Sequence, residues 1–235
     1  MLSNLTRIAT SVALVALVGA APVAATSAQS TAKPTATAPV PGSSPQELIQ
    51  KVSQDLLRDL DVNRALYKKE PEKLRALVDK HLLPNFDVDY AARLVLGKHW
   101  RTASEEQRKR FIDAFYQSLM RNYGDAIVEF QANQLKLLPF RGDLASGSAT
   151  VRTEIAHQGT PVPVNYSLRA TPQGWKAWDV TIEGISYVRN YRTDFGAQAD
   201  KEGIEAVIKR LETQNASGKP DPNLKAAGKA STAKP

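Results

Sequence analysis

The sequence predicts an α+β fold with helices first, a curved antiparallel sheet second and closing helices last. Three observations predict it. Apolar residues recur at a helical period up to about residue 130. The spacing shortens to two residues from about Leu135 to Ile182, and the helical period returns after Gly184. Helices and strands segregated along the chain in this way mark an α+β architecture rather than an alternating α/β one.

Ser44-Pro45-Gln46-Glu47 is a capping box with proline at the first helical position. Leu48, Ile49, Val52, Leu56, Leu57 and Leu60 then share one helix face. Pro71 opens a second helix with Leu74, Leu77, Val78 and Leu82 inward. A third runs from about Asp87 to Leu96 and stops at Gly97. Ser104-Glu105-Glu106-Gln107 is a second capping box, and it opens a long helix through Phe111, Phe115, Leu119 and Tyr123. Leu135 and Leu137 start a strand that Pro139 disrupts. Ala149, Val151, Thr153 and Ile155 alternate with polar neighbours, as do Val162, Val164, Tyr166, Leu168 and Ala170. After the turn Thr171-Pro172-Gln173-Gly174, Trp178, Val180 and Ile182 alternate with Asp179, Thr181 and Glu183. Short strands joined by glycine and proline turns form an antiparallel meander. Ile185, Val188, Tyr191 and Phe195 then read as helix, and Gly203 precedes a final helix bearing Ile204, Val207, Ile208 and Leu211.

The ends read differently. Residues 1–28 carry Arg7, an apolar run from Ile8 to Ala21 and small residues at two candidate cleavage points, which reads as an export signal peptide. The run is short for a membrane span, and no basic stop-transfer cluster follows it. Residues 29–43 and 216–235 are rich in Ala, Ser, Thr, Pro and Lys and read as a disordered leader and tail, leaving 44–215 as one domain. There is no cysteine, so neither a disulfide framework nor a lipid-modified cysteine is available. The expected location is the periplasm. Of the 31 Lys and Arg and 24 Asp and Glu, 25 and 23 lie within 44–215, a net +2. That balance lacks the dense basic stripe of a nucleic-acid-binding domain.

A search for chemistry returns little. His81, His99 and His157 lie in separate elements with no partner at metal-ligand spacing. There is no nucleophile elbow and no glycine-rich phosphate loop. Asp179 and Glu183 share a strand's polar face and form a candidate acid/base pair, although solvated strand carboxylates are common. Trp178 and Tyr166 align with apolar neighbours, which favours a core or pocket over a base-stacking surface. A curved sheet under helices either fills its interior or keeps a cavity, and periodicity leaves both open.

Two blocks carry a family resemblance. The first is FDVDYAARLVLGKHWRTASEEQRKRFIDAFYQSLMRNYGDAI, Phe86 to Ile127; the second runs from Trp175 to Glu212 and contains WKAWDVTIEGISYVRNYRTDF. Their order resembles the MlaC-like periplasmic phospholipid-binding proteins of the maintenance-of-lipid-asymmetry system, also called toluene-tolerance auxiliary proteins. The resemblance covers nearly the whole of 44–215. It implies a mixed helix-and-sheet fold with an NTF2-like portion around an apolar cavity that takes phospholipid acyl chains. It also implies no catalysis and no cofactor beyond the phospholipid cargo. The implied partners are an outer-membrane lipoprotein–porin complex and an inner-membrane ABC transporter with a periplasmic substrate-binding domain.

On that resemblance, Val164, Tyr166, Leu168, Val180 and Ile182 are the expected sheet side of the pocket. Phe111, Phe115, Leu119, Tyr123, Val188 and Tyr191 are the expected helical side. Arg93, Arg189 and Arg192 are candidates for the headgroup phosphate, because guanidinium suits phosphate oxygens. The competing expectations are an enzyme on an NTF2-like cavity, with an acidic or histidine base acting on a small apolar substrate, and an adaptor with a filled core.

Overall fold

The computed structural model describes residues 43–129, 131, 135–157 and 159–218. The predicted signal peptide, nearly all of the leader and the tail beyond Gly218 lie outside them. Within these residues, seven α-helices and five strands follow in chain order: α1 (Pro45–Lys69), α2 (Pro71–His81), α3 (Val88–Leu96), α4 (His99–Thr102), α5 (Glu105–Glu129), β1 (Leu135–Leu137), β2 (Ser148–His157), β3 (Thr160–Thr171), β4 (Gly174–Ile182), β5 (Ile185–Ser186), α6 (Tyr187–Glu202) and α7 (Ile204–Ser217). The last helix ends at Ser217, so Ala216 and Ser217 are helical rather than part of the predicted tail.

The helix starts follow the local sequence. Ser44 Oγ accepts from Glu47 N at 3.2 Å while the Glu47 carboxylate accepts from Ser44 N at 2.7 Å, so both arms of the capping box are made. Ser104 and Gln107 repeat the exchange at 3.1 Å in each direction. α3 stops at Gly97, whose φ of +55° suits a residue without a Cβ. No helix among the described residues is long and apolar enough to cross a membrane.

The sheet is a meander in the order β1-β2-β3-β4-β5, antiparallel throughout. Glu183 (φ +48°) and Gly184 (φ +84°) form the two-residue turn between β4 and β5. Ile185 thus pairs with Ile182 in a short strand before α6 begins. One bulge interrupts the ladder. Leu168 pairs with Ala177 and Ser167 with Asp179, so Trp178 is the extra residue.

Paired residues of an antiparallel sheet share a face. One face therefore carries the row Leu137, Thr153, Val164, Ile182 and the row Val151, Tyr166, Val180. Past the bulge it continues with Leu168 and Ala177. Trp178 is displaced from this face. It meets Tyr90 of α3 edge-on at 5.6 Å and packs against the helical core. This corrects the expectation that Trp178 shares the apolar face of Val180 and Ile182, because the unbroken alternation in β4 conceals the bulge.

Three apolar clusters hold these elements. Ile49 of α1 joins Ala149, Val151, Leu168, Trp175 and Ala177 on the sheet face. Leu56, Leu60 and Tyr67, farther along α1, pack on Leu74 and Leu77 of α2 and on Val128 of α5. The largest cluster joins α3, α5, α6 and α7 around Phe111, Tyr191, Phe195 and Leu211. Each large aliphatic or aromatic side chain buried in this way contributes about 1.5–3 kcal/mol. α1 therefore spans the molecule, with its start on the sheet and its end on α2 and α5.

Candidate functional site

Between those two anchorages α1 stands away from the sheet edge and leaves a groove of about 760 Å³. Its walls are Gln50, Ser53, Gln54, Leu57, Arg58 and Asp61 of α1 and Leu135 and Leu137 of β1. The α1 residues follow helical spacing and so form one stripe. Gln46 Nε2 donates to Leu138 O at 3.1 Å and ties the start of α1 to the chain just after β1.

Leu135 pairs with Ile155 and Leu137 with Thr153, so the β1 wall of the groove lies at the edge of the apolar sheet face. Val164 and Leu168 on this face are buried, while Ile155, Val162, Tyr166, Val180 and Ile182 are only half-buried. Leu48 and Ile49 of α1 join the cluster around Val151 and Leu168, at whose margin Tyr166 lies, whereas Val180 and Ile182 are not part of it. The five predicted sheet-side residues thus share one face that α1 covers incompletely. Thr153 Oγ1 donates to Val164 O at 2.8 Å, so the one hydroxyl within this row is satisfied. Burial pushes the Tyr166 hydroxyl pKa up to about 12.

The predicted helical-side residues lie elsewhere. Phe111 is 0% and Tyr191 1% exposed, and Phe115 meets Tyr191 edge-on at 4.9 Å. Val188 belongs to the same cluster, while Leu119 and Tyr123 are half-buried at its margin. Tyr123 and Tyr191 hydroxyls are 2.9 Å apart, and burial raises the Tyr123 pKa. The two predicted walls therefore fall in different apolar clusters. The helical set packs with Val207, Ile208 and Leu211 of α7. Sequence reasoning missed the groove's own α1 stripe. Its polar residues read as an ordinary solvated face, and only the position of β1 shows what they line.

The family described as MlaC protein matches residues 50–213. The chain belongs to the MlaC family. It is similar to the toluene tolerance protein ttg2D of Pseudomonas putida, 27% identical over 165 residues, which cover 70% of this chain and 77% of that protein. It is also similar to the intermembrane phospholipid transport system binding protein MlaC of Haemophilus influenzae, 26% identical over 178 residues, covering 74% and 83%. Among solved structures, a phospholipid-binding protein from Ralstonia solanacearum in complex with a phospholipid matches with a TM-score of 0.71 at 26% identity. That match covers 75% of this chain and 99% of the other.

In this MlaC-family chain the arginines proposed for a headgroup stand on α3 and α6, and none of them lines the groove. Arg93 lies over the Tyr90 ring at 5.3 Å. The Arg192 guanidinium rests on Gly97, where an added Cβ would stand 3.2 Å from its Nε. All three are exposed.

The candidate acid/base pair is also dispersed. Glu183 is exposed in the β4–β5 turn, whereas Asp179 is buried and accepts from Ser186 Oγ and Val188 N. His81 Nε2 stands 3.4 Å from Asp59, and His99 Nε2 stands 2.9 Å from Asp200. Among the described residues no three His, Cys, Asp or Glu side chains gather as metal ligands.

Proposed function

We propose that this protein carries phospholipid, holding the acyl chains on the open sheet face beneath α1, with the headgroup at the groove mouth. The observation that carries the reading is the half-covered apolar face formed by Tyr166, Val180 and Ile182, with the α1–β1 groove at its edge. A groove of about 760 Å³ falls within the usual range of ligand sites, roughly 300–1,000 Å³. Membership of the MlaC family and the phospholipid held by the Ralstonia protein support it.

Chain burial explains why a carrier is needed. An acyl chain of about fourteen methylenes gains about 11 kcal/mol on leaving water, and two chains gain roughly 22 kcal/mol. Unassisted escape from a bilayer is correspondingly slow. The gross figure exceeds the practical affinity limit of about 18–21 kcal/mol, so ordering and opening must offset part of it. Loading is then an exchange between two apolar environments.

The proposed setting is the periplasm, reached through the N-terminal export signal. The proposed partners are an outer-membrane lipoprotein–porin complex and an inner-membrane ABC transporter with a periplasmic substrate-binding domain. Transport between them would maintain outer-membrane lipid asymmetry. Catalysis has no role in this reading. The one buried carboxylate among the described residues, Asp179, spends both oxygens on hydrogen bonds at the start of α6.

Native mass spectrometry of gently purified protein tests the proposal. The expected result is co-purified two-chain phospholipid. Protein that is repeatedly lipid-free and accepts no phospholipid from vesicles would overturn it.

A further inference from the structure

We propose that Arg58 is the phosphate-binding residue of the groove, and that through it the protein selects two-chain lipids bearing a phosphate over two-chain lipids lacking one. The inference rests on the reading of the groove as the lipid site.

The α1 stripe is graded in polarity. Leu57 is 4% exposed, whereas the Arg58 side chain is 76% exposed. Gln50, Ser53 and Gln54 add neutral donors and acceptors along the same wall. Leu135 and Leu137 oppose them at the edge of the apolar sheet face.

Arg58 and Asp61 are the charged residues of the lining. Asp61 is matched by Arg64 at 3.0 Å. Among the described residues Arg58 meets only Asp55, at 3.4 Å, longer than the roughly 2.7–2.9 Å of a strong charge-assisted bond. Arg58 is the lesser of the two cations on Asp55. Lys51 holds the other Asp55 oxygen at 2.5 Å, and that hydrogen bond is the main cause of the lowered Asp55 pKa. Arg58 can therefore turn away from Asp55 without stranding a carboxylate.

A guanidinium offers a planar fork that fits two phosphate oxygens at once. Placed one residue beyond Leu57, it sets the phosphate at the solvent edge while the chains run inward over Leu135 and Leu137. Both contacts together fix the lipid's orientation. Arg93, Arg189 and Arg192 offer the same chemistry, but none of them lines this groove.

The test is a competition. Lipid-stripped full-length protein is loaded from vesicles containing equal amounts of phosphatidylglycerol and a diacylglycerol with the same chains. The bound ratio is read by native mass spectrometry. Wild type is expected to favour phosphatidylglycerol by about two- to fivefold, the scale of a solvent-exposed ion pair. Arg58→Gln should bring the ratio close to that of the vesicles while total bound lipid persists, and Arg58→Lys should keep part of the preference.

An equal ratio for wild type and Arg58→Gln would overturn the assignment and leave the carrier reading intact. Absence of any bound lipid in wild type would overturn both. A third arm supplies inorganic phosphate alone. If it stabilises lipid-free wild type but not Arg58→Gln, while the two lipids load equally, Arg58 serves a soluble anion and the headgroup assignment fails.

Discussion

Ser186 Oγ donates to Asp179 Oδ2 at 2.5 Å, which joins the last long strand to the first residue before α6. Val188 N donates to Asp179 Oδ1 at 3.0 Å, and Ser186 Oγ in turn accepts from Arg189 N at 3.1 Å. A carboxylate that is 4% exposed is tolerated here because both oxygens are satisfied and the positive end of the α6 dipole faces it. Asp179 follows the bulged Trp178, so this clasp sets α6 against the sheet at the point where the strand changes face. Asp179→Ala leaves the Ser186 hydroxyl and the Val188 amide without their acceptor. We expect a loss of about 2–4 kcal/mol, read as a lower urea midpoint with an unchanged slope. A loss below about 0.5 kcal/mol would show that the clasp is not structural.

Ile182 pairs with Val164 at the open end of the sheet face, yet it remains half-buried. Ile182→Glu should abolish phospholipid loading while shifting stability by less than about 2 kcal/mol, because the charge meets an open face rather than packed neighbours. Val164→Glu, at a buried position in the same row, should destabilise more. Lipid content and urea unfolding are measured on the same preparations. An Ile182→Glu protein that stays fully loaded would place the acyl chains elsewhere.

Much of this fold is written in local sequence, and the candidate site is not. Ser44 with Glu47 and Ser104 with Gln107 are readable as capping boxes because both partners lie three residues apart. Gly97 is readable as a helix stop because the left-handed φ that ends α3 is itself a one-residue property. The bulge at Trp178 depends on how β4 pairs with Ser167 and Leu168 of β3, and no period within one strand reports it. Val164, Tyr166, Leu168, Val180 and Ile182 share a face that is readable because alternation holds on each side of the bulge. Phe111, Phe115 and Tyr191 were separated from them only by the packing of α7, whose Ile208 and Leu211 fill the space beside them. Arg58 escaped notice because a polar helix stripe looks the same whether it faces bulk water or a groove.

Arg93, Arg189 and Arg192 should be dispensable for loading. Each is exposed, and among the described residues none lies within an ion pair. Replacing all three with Gln should leave phospholipid content unchanged. It should alter stability by no more than about 0.5 kcal/mol per site, plus about 0.5–1 kcal/mol for the Arg93 stack on Tyr90. Native mass spectrometry and urea midpoints check both statements. Loss of lipid without loss of stability would return these arginines to the headgroup.

The pH dependence should centre on Asp59, where α1 meets the end of α2. Tyr67 Oη donates to it at 2.5 Å and Asn63 Nδ2 at 2.9 Å, and Lys80 stands at 3.5 Å. The Tyr67 hydrogen bond is the main cause that holds the Asp59 carboxyl below its ordinary range. A carboxyl lowered in the folded state adds stability that is present above the unfolded value of about 3.9 and is lost as pH falls through the folded value. Asp59→Asn should therefore be about 1–2 kcal/mol less stable than wild type at neutral pH, and the gap should narrow below about pH 4. The opposite sign applies to Tyr67, whose pKa is pushed up from 10.0 to about 12 by burial and then by Asp59. Its contribution is complete below about pH 10 and fades as pH rises towards 12. Tyr67→Phe should remove that alkaline loss. Urea unfolding across both limbs decides the matter, and a wild-type-to-Asn gap that is constant down to about pH 3 would detach Asp59 from acid stability.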